Sequence, residues 1–240
     1  MAEEQNPEPL QMTEADRVER AASRLSNSAL LALAGGFLDG FTFLGHGHVF
    51  ANAMTGNVVL LALDLFTGSL HSGLPHLLPI VMFMVGVTVA KILELPSVAR
   101  YLLHPHLTAL MVQIGVLSML SLLPQSTPNA WFTMSIAFAA SVQVESFRRV
   151  NGRSYNSTFT TGNLRTFSES CFAWLFGDGG ADDRRVARDF GVICVSFFIG
   201  AAAGGAATRS LGNRALWIDV ALLFWILVAI WPRSQRAAAS

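Results

Sequence analysis

Apolar blocks of about seventeen to twenty-three residues recur along this chain, the length one helix needs to cross a hydrocarbon core of about 30 Å. This feature constrains the fold most, because it calls for helices that lie across a bilayer. Composition agrees. Of all residues 52% are apolar and 13% charged, against about 25% charged in soluble domains, and the mean hydropathy is +0.47. The expected class is an all-α membrane protein with the lipid bilayer as its partner.

Eight apolar or semi-apolar segments are read at 28–48, 54–67, 77–95, 107–123, 130–147, 158–176, 190–208 and 215–231. The second is short, and the sixth carries Arg165, Ser168, Glu169 and Ser170. Short apolar segments favour re-entrant or interfacial placement over spanning. Positive charge near span ends favours the cytoplasm. With six crossings Arg17, Arg20, Arg24, Lys91, Arg100, Arg148, Arg149, Arg153, Arg184, Arg185, Arg188, Arg233 and Arg236 share the inside, and only Arg209 and Arg214 lie outside. With eight, Lys91, Arg100, Arg148, Arg149 and Arg153 move outside. Six crossings are expected, with both termini cytoplasmic in a bacterial inner membrane. Residues 1–27 are polar and rich in acids, unlike a secretory signal. They read as a mobile tail before an uncleaved anchor.

A repeat organises these segments. Thr55-Gly56-Asn57 recurs as Thr161-Gly162-Asn163, and Asp39 and Glu145 stand sixteen positions ahead of the two copies. One offset of 106 residues aligns both windows without a gap. Three crossings per half require the second half to run upside down. The expected architecture is a 3+3 inverted repeat, 28–124 and 129–232, with a cytoplasmic tail at 233–240. Repeats of this kind place their binding site near the midplane, at broken helices. Gly56 and Gly162 are the expected helix breaks, with helices starting at Asn57 and Asn163 and their dipoles pointing inward. Thr and Asn beside each glycine are natural N-caps, and each triplet could equally cap an ordinary helix at the membrane edge.

A carboxylate inside a span costs about 2.5–3.5 kcal/mol on insertion scales and usually faces an interior site. Two roles are open to Asp39 and Glu145. They bind protons or cations during transport, or they hydrogen-bond the helix starts at the triplets and hold the fold. For Glu145 an interfacial salt bridge to Arg149, four residues on, is a third. Gln143 shares the helix with Glu145 and either lines the same cavity or bonds a neighbouring helix. Gly36-xxx-Gly40 and Gly200-xxx-Gly204 read as close-packing motifs. Lys91 and Glu94 read as a snorkelling pair, and Asp219 as an interfacial acid.

Several classes are disfavoured. Zero net charge points away from nucleic acid. Cys171 and Cys194 lack metal or redox spacing. His46-x-His48 and His104-x-His106 lie at span ends without further ligands in range, so no metal and no cofactor are expected. No nucleotide loop, His-Glu-x-x-His helix or Ser-His-Asp order is present, so an enzyme is not expected.

The stretches Ala34-Gly35-Gly36-Phe37-Leu38-Asp39-Gly40, Phe50 to Asn57, and Gln143 to Asn163 with Phe147-Arg148-Arg149-Val150 resemble the YoaK-like family of small bacterial membrane proteins over about residues 28–232. Val144-Glu145 departs from that family's usual run after Gln143. The resemblance implies an inner-membrane protein of about six helices, and a domain of unknown function. The residues themselves point to a transporter or channel for a small solute or ion. Its candidate lining is Asp39, Thr55, Asn57, Gln143, Glu145, Thr161 and Asn163. A membrane sensor, scaffold or assembly subunit is the alternative, and a homo-oligomer is compatible with either.

Overall fold

A computed structural model describes residues 13–68, 70–102, 104–155, 160–177 and 180–231. The tail at 233–240, the start of the 1–27 tail and residues 158 and 159 of the sixth segment lie outside them. The described chain is helical apart from one small hairpin. Its helices are α1 (Glu14–Ala22), α2 (Leu25–Gly45), α3 (Met54–Thr67), α4 (Leu70–Leu93), α5 (Pro96–Ala99), α6 (Pro105–Ser121), α7 (Asn129–Ser146), α8 (Thr160–Phe176), α9 (Ala181–Leu211) and α10 (Leu216–Ile230). Strands β1 (Arg149–Val150) and β2 (Arg153–Ser154) form the hairpin, and a 3₁₀ turn, Gly212–Ala215, joins α9 to α10.

Three helical stretches are long and apolar enough to cross a membrane: Leu25–Gly45, His71–Leu93 and Ala181–Ile230, the last including both α9 and α10. Met54–Thr67 and Pro105–Ser121 are shorter apolar helices.

The polar tail is not wholly unstructured. Thr13 and Asp16 form a capping box, the Thr13 oxygen accepting the Asp16 N–H and the Asp16 carboxylate accepting the Thr13 N–H. This starts α1, which buries Val18 and Ala22 in the main core. For residues 13–27 the expectation of a mobile tail is corrected here. An amphipathic turn pattern hidden among acids was enough to dock.

Side-chain pairs give each helix a direction. Call the end where α2 begins the near end, and that where it stops the far end. Along α2 and α9, Gly36 meets Phe197, Gly40 meets Ala201, and Gly45 meets Thr208, so the two run parallel. Along α4 and α7, Gly86 meets Ser141 and Lys91 pairs with Glu145, so these also run parallel. His46, just past α2, stacks on Phe132 and reaches Asn129 at the start of α7. Therefore α7 opposes α2. The Asn213 amide donates to the Leu123 carbonyl, which brings the start of α10 to the end of α6. In sum α2, α6 and α9 run from near to far, and α4, α7 and α10 return. The main core fills the space between them, with Phe37, Phe41, Phe132, Leu117 and Leu223 fully buried.

The α2–α9 contact is the tightest. A Cβ at Gly36 would strike the Phe197 carbonyl, one at Gly40 the Ala201 carbonyl, one at Gly200 the Leu33 carbonyl and one at Gly204 the Phe37 carbonyl. Both small-xxx-small motifs therefore face each other, and backbone approaches backbone as they do between membrane helices.

Candidate functional site

The site begins with how the chain leaves α2. After Gly45 it turns back, and the Asn52 side chain donates to the Gly35 carbonyl at 2.9 Å. Gly35 lies ten residues before the end of α2, which is about 15 Å below it at the rise of an α-helix. The segment 46–53 thus folds back into the bundle, and α3 starts about halfway along α2. It then runs back to the far end, where Leu61 and Leu65 meet Gly73 on α4, and Asp64 reaches His76 at 3.3 Å.

Irregular backbone at that depth must find partners within the protein. Asp39 supplies one. Its carboxylate oxygen accepts the Asn52 N–H at 2.7 Å. The N-cap of α3 is Ala53, with no side-chain cap of its own. Asp39 thus satisfies a donor of the turn that leads into α3, ahead of the helix's own first N–H groups. Asn57 supplies two more. Its oxygen accepts the Phe50 N–H at 3.0 Å, and its amide donates to the Phe50 carbonyl at 2.6 Å. The side chain is wholly buried.

This corrects the expected geometry of the triplets. The helices start at Met54 and Thr160, so Gly56 and Gly162 sit inside the first turns and break nothing. In the first half the break precedes the triplet. A Cβ at Gly56 would press on the Phe50 ring at 2.9 Å, so this glycine lets the re-entrant loop close on α3.

The second half turns inward by another device. After α7 the β1–β2 hairpin folds back along α2 and α9. Asn151 donates its N–H to the Ser23 carbonyl at 2.8 Å and its amide to Asp189 at 2.7 Å. Val150 and Tyr155 bury against Ala32, Val186 and Phe190. The helix α8 runs from Thr160, and its Phe167 meets Gly191 on α9.

The two helix starts converge on one cavity of about 520 Å³. Thr55 enters from the first half and Thr160 and Thr161 from the second, with Asp39 and Gly40 beside them. Phe43, Phe50 and Phe197 give it a largely apolar wall. Phe43 and Phe50 stack with their ring centroids 4.7 Å apart. The Thr160 hydroxyl is shielded from solvent and has no partner among the described residues.

Not every expected residue reaches this cavity. Glu145 lies in the last turn of α7, because that helix stops at Ser146 to make the hairpin. There its buried carboxylate pairs with Lys91 and, at 2.6 Å, with Arg148, while Lys91 also holds Glu94 at 2.8 Å. The partner is Arg148, three residues on, rather than Arg149. Gln143 is wholly buried in α7 but does not line the cavity. Asn57 and Asn163 are buried just behind it, Asn163 in the first turn of α8. Asn156, which the 106-residue offset pairs with Phe50, lies outside the described residues.

The His-x-His pairs stay apart. His46 is at the far end, while His104 and His106 meet at 3.0 Å at the near end, beside Phe147. Asp219 is not interfacial in its packing, being wholly buried in α10. Among the residues missed by reading the sequence, besides the cavity-lining Phe43, Thr160 and Phe197, are Phe50 and Asn52, the two that Asn57 and Asp39 hold. Their signal was only that both flank the first triplet.

A family model described as a protein of unknown function, DUF1275, matches residues 28–229. The UPF0700 transmembrane protein YoaK of Bacillus subtilis (strain 168) is 24% identical over 216 residues, which cover 87% of this chain and 94% of that protein. No solved structure matches the chain.

Proposed function

The chain belongs to the DUF1275 family of membrane proteins, and we propose that it is a carrier or channel for a small solute, with its site between two inverted halves. The observation that carries this reading is the shared cavity. The starts of two broken helices, one from each half, open onto it with Thr55, Thr160 and Thr161. Sites of this kind lie at discontinuous helices near the midplane of inverted-repeat transporters.

Helix directions support six crossings. The helices α2, α4, α6, α7, α9 and α10 alternate in direction along the chain, while α3 and α8 begin inside. Packing supports the repeat. When the halves are exchanged, α2 against α9 becomes α7 against α4, α3 against α4 becomes α8 against α9, and α6 against α10 maps onto itself. Arg17, Lys91, Arg148 and Arg184 gather at the near end, which supports a cytoplasmic near end. The termini then face the cytoplasm of a bacterial inner membrane.

Three aromatic rings and three hydroxyls favour a solute with an apolar body and one hydrogen-bonding end. Two helix N-termini favour an acceptor, or a negative charge, at that end. Asp39 has its Oδ1 engaged by the re-entrant loop, so it serves first as the anchor of the site.

A thermal-stabilisation screen of the purified protein with small apolar acids and alcohols tests the reading, because a ligand at 100 times its Kd stabilises by about 2.7 kcal/mol. Hits should lose their effect on the Thr55→Val, Thr161→Val double variant and should cross proteoliposome membranes only with the wild-type protein. Hits that stabilise both proteins equally and fail to cross would remove the transport reading and leave a sensor or scaffold.

A further inference from the structure

The offset that pairs the triplets also pairs the last helices of the two halves. Ala109-Leu110-Met111-Val112-Gln113-Ile114 aligns with Ala215-Leu216-Trp217-Ile218-Asp219-Val220, again 106 residues apart. Burial follows the alignment: Leu110 and Leu216, Gln113 and Asp219, Leu117 and Leu223 are all enclosed. The buried position that is polar in both helices is Gln113 in α6 and Asp219 in α10.

These two helices pack against each other in opposite directions. The Asn213–Leu123 bond sets their register, which puts Asp219 level with about Leu117 and Gln113 about one helical turn away along the axis. Among the described residues, the buried oxygens of both are left without partners. Asp219 has no exposed surface and neither of its carboxyl oxygens is bonded, and the Gln113 carbonyl oxygen is likewise buried and unbonded.

Among the described residues, the surroundings supply no neutralising cation. The elements packed on α10 are α6, α2, the 3₁₀ turn and α1. On α6 the titratable group is His106, at the opposite end of the helix. On α2 it is Asp39, bonded to Asn52. The 3₁₀ turn offers Arg214, which is exposed and lines a separate far-end cavity with Gln125 and Trp217. The charges of α1, Asp16, Arg17, Glu19 and Arg20, lie at the near end, away from the start of α10. An unpaired carboxylate enclosed by apolar side chains is far costlier than the neutral acid.

We propose that Asp219 is a proton-binding site buried in the seam between the two halves, and that opening of the α6–α10 seam to water governs its occupancy. In the closed seam the group is a carboxylic acid. When water enters, the O–H bond breaks, the proton passes to that water and the electron pair stays on the carboxylate. The first turn of α10 then favours the anion, since helix N-termini stabilise negative charge. Gln113, its counterpart in the other half, keeps a neutral amide at the same position and does not titrate.

Infrared difference spectra of the purified full-length protein between neutral and alkaline pH test this. The C=O stretch of a protonated, weakly bonded carboxyl should be present in the wild type, persist in Asp39→Asn, and be lost in Asp219→Asn. Replacing a neutral acid by a neutral amide should leave the melting temperature unchanged. Should the Asn variant not be recovered, Asp219→Leu removes the same band and fills the same apolar seam. A band that survives either substitution at Asp219 overturns the proposal. So does a wild type without the band, or a large fall in melting temperature for both variants, which would show a carboxylate held as an ion.

Discussion

The Asn52 N–H donates to the Asp39 carboxylate at 2.7 Å, and through this bond the middle of α2 holds a loop that has turned back into the bundle. The same residue reaches Gly35 with its side chain. Two contacts from one asparagine thus set the depth at which α3 begins. Function follows from depth, because Thr55 lines the cavity only if α3 starts there.

Asp39→Ala should therefore destabilise the protein by about 1–3 kcal/mol, the cost of leaving a buried donor unbonded. Asp39→Asn keeps an acceptor and should lose less. Thermal unfolding in detergent without ligand measures both. Equal stability of the alanine variant and the wild type would show that the loop is held elsewhere.

Asn57 and Thr55 are two residues apart but should behave oppositely. Asn57→Ala removes both bonds to Phe50 inside the protein, and should also cost about 1–3 kcal/mol. Thr55 is exposed to the cavity. Its replacement by Val should change stability by no more than about 0.5 kcal/mol while weakening any ligand found by the screen. Parallel melting curves of the two variants, with and without ligand, separate anchor from lining.

Helix positions were legible because bilayer length and hydropathy are local properties. The segment expected at 54–67 is Met54–Thr67, and that expected at 130–147 is Asn129–Ser146. The depth of a turn is not local. That Asn52 answers Asp39, and Phe50 answers Asn57, depends on a chain reversal that no periodicity records. Glu145 shows the limit of repeat arithmetic. It aligns with Asp39, yet α7 ends one residue later, so the same register yields an acid at a helix end with two cations in reach. The Gln113–Asp219 alignment was legible at the same offset. It was masked because an amide and an acid do not look alike, and only shared burial exposes them.

The glycine seam makes a paired prediction. Gly36→Ala forces a Cβ into the Phe197 carbonyl. Overpacking of this kind costs about 1–3 kcal/mol. A Cβ at Gly115 meets nothing within 4 Å, and Gly115→Ala should be neutral or stabilising by up to about 1 kcal/mol, since alanine is the better helix former. The melting temperature should fall for Gly36→Ala and hold or rise for Gly115→Ala, and a common fall would contradict the seam.

Glu145 and Glu94 share Lys91 but differ in burial, Glu145 being 4% exposed at its side chain and Glu94 36%. Removing one partner of a buried pair leaves charge uncompensated and costs about 3–5 kcal/mol when burial is complete. Both cations here reach solvent, so Glu145→Gln should cost less than that. It should still exceed Glu94→Gln, whose exposed pair is worth about 0–1 kcal/mol. Urea titrations at low and high salt provide the check. The Glu94 effect should fade with salt and the Glu145 effect should persist, because surface pairs are screened and buried ones are not.

The alternation of helix directions predicts which loops face out. Ser126 lies between α6 and α7 at the far end, and Arg149 lies in β1 at the near end, both exposed. With Cys171 and Cys194 replaced by serine, a cysteine at 126 should react with a membrane-impermeant maleimide in intact cells. A cysteine at 149 should react only after the membrane is opened. Ser72, exposed at the start of α4, should follow 126. If α3 crossed fully instead of starting at half-depth, 72, 126 and 149 would all change sides relative to α1, and 149 would lie opposite a cysteine placed at the exposed Arg17. Labelling of 149 on the same side as 17, opposed to 72 and 126, is the pattern that re-entrant α3 requires.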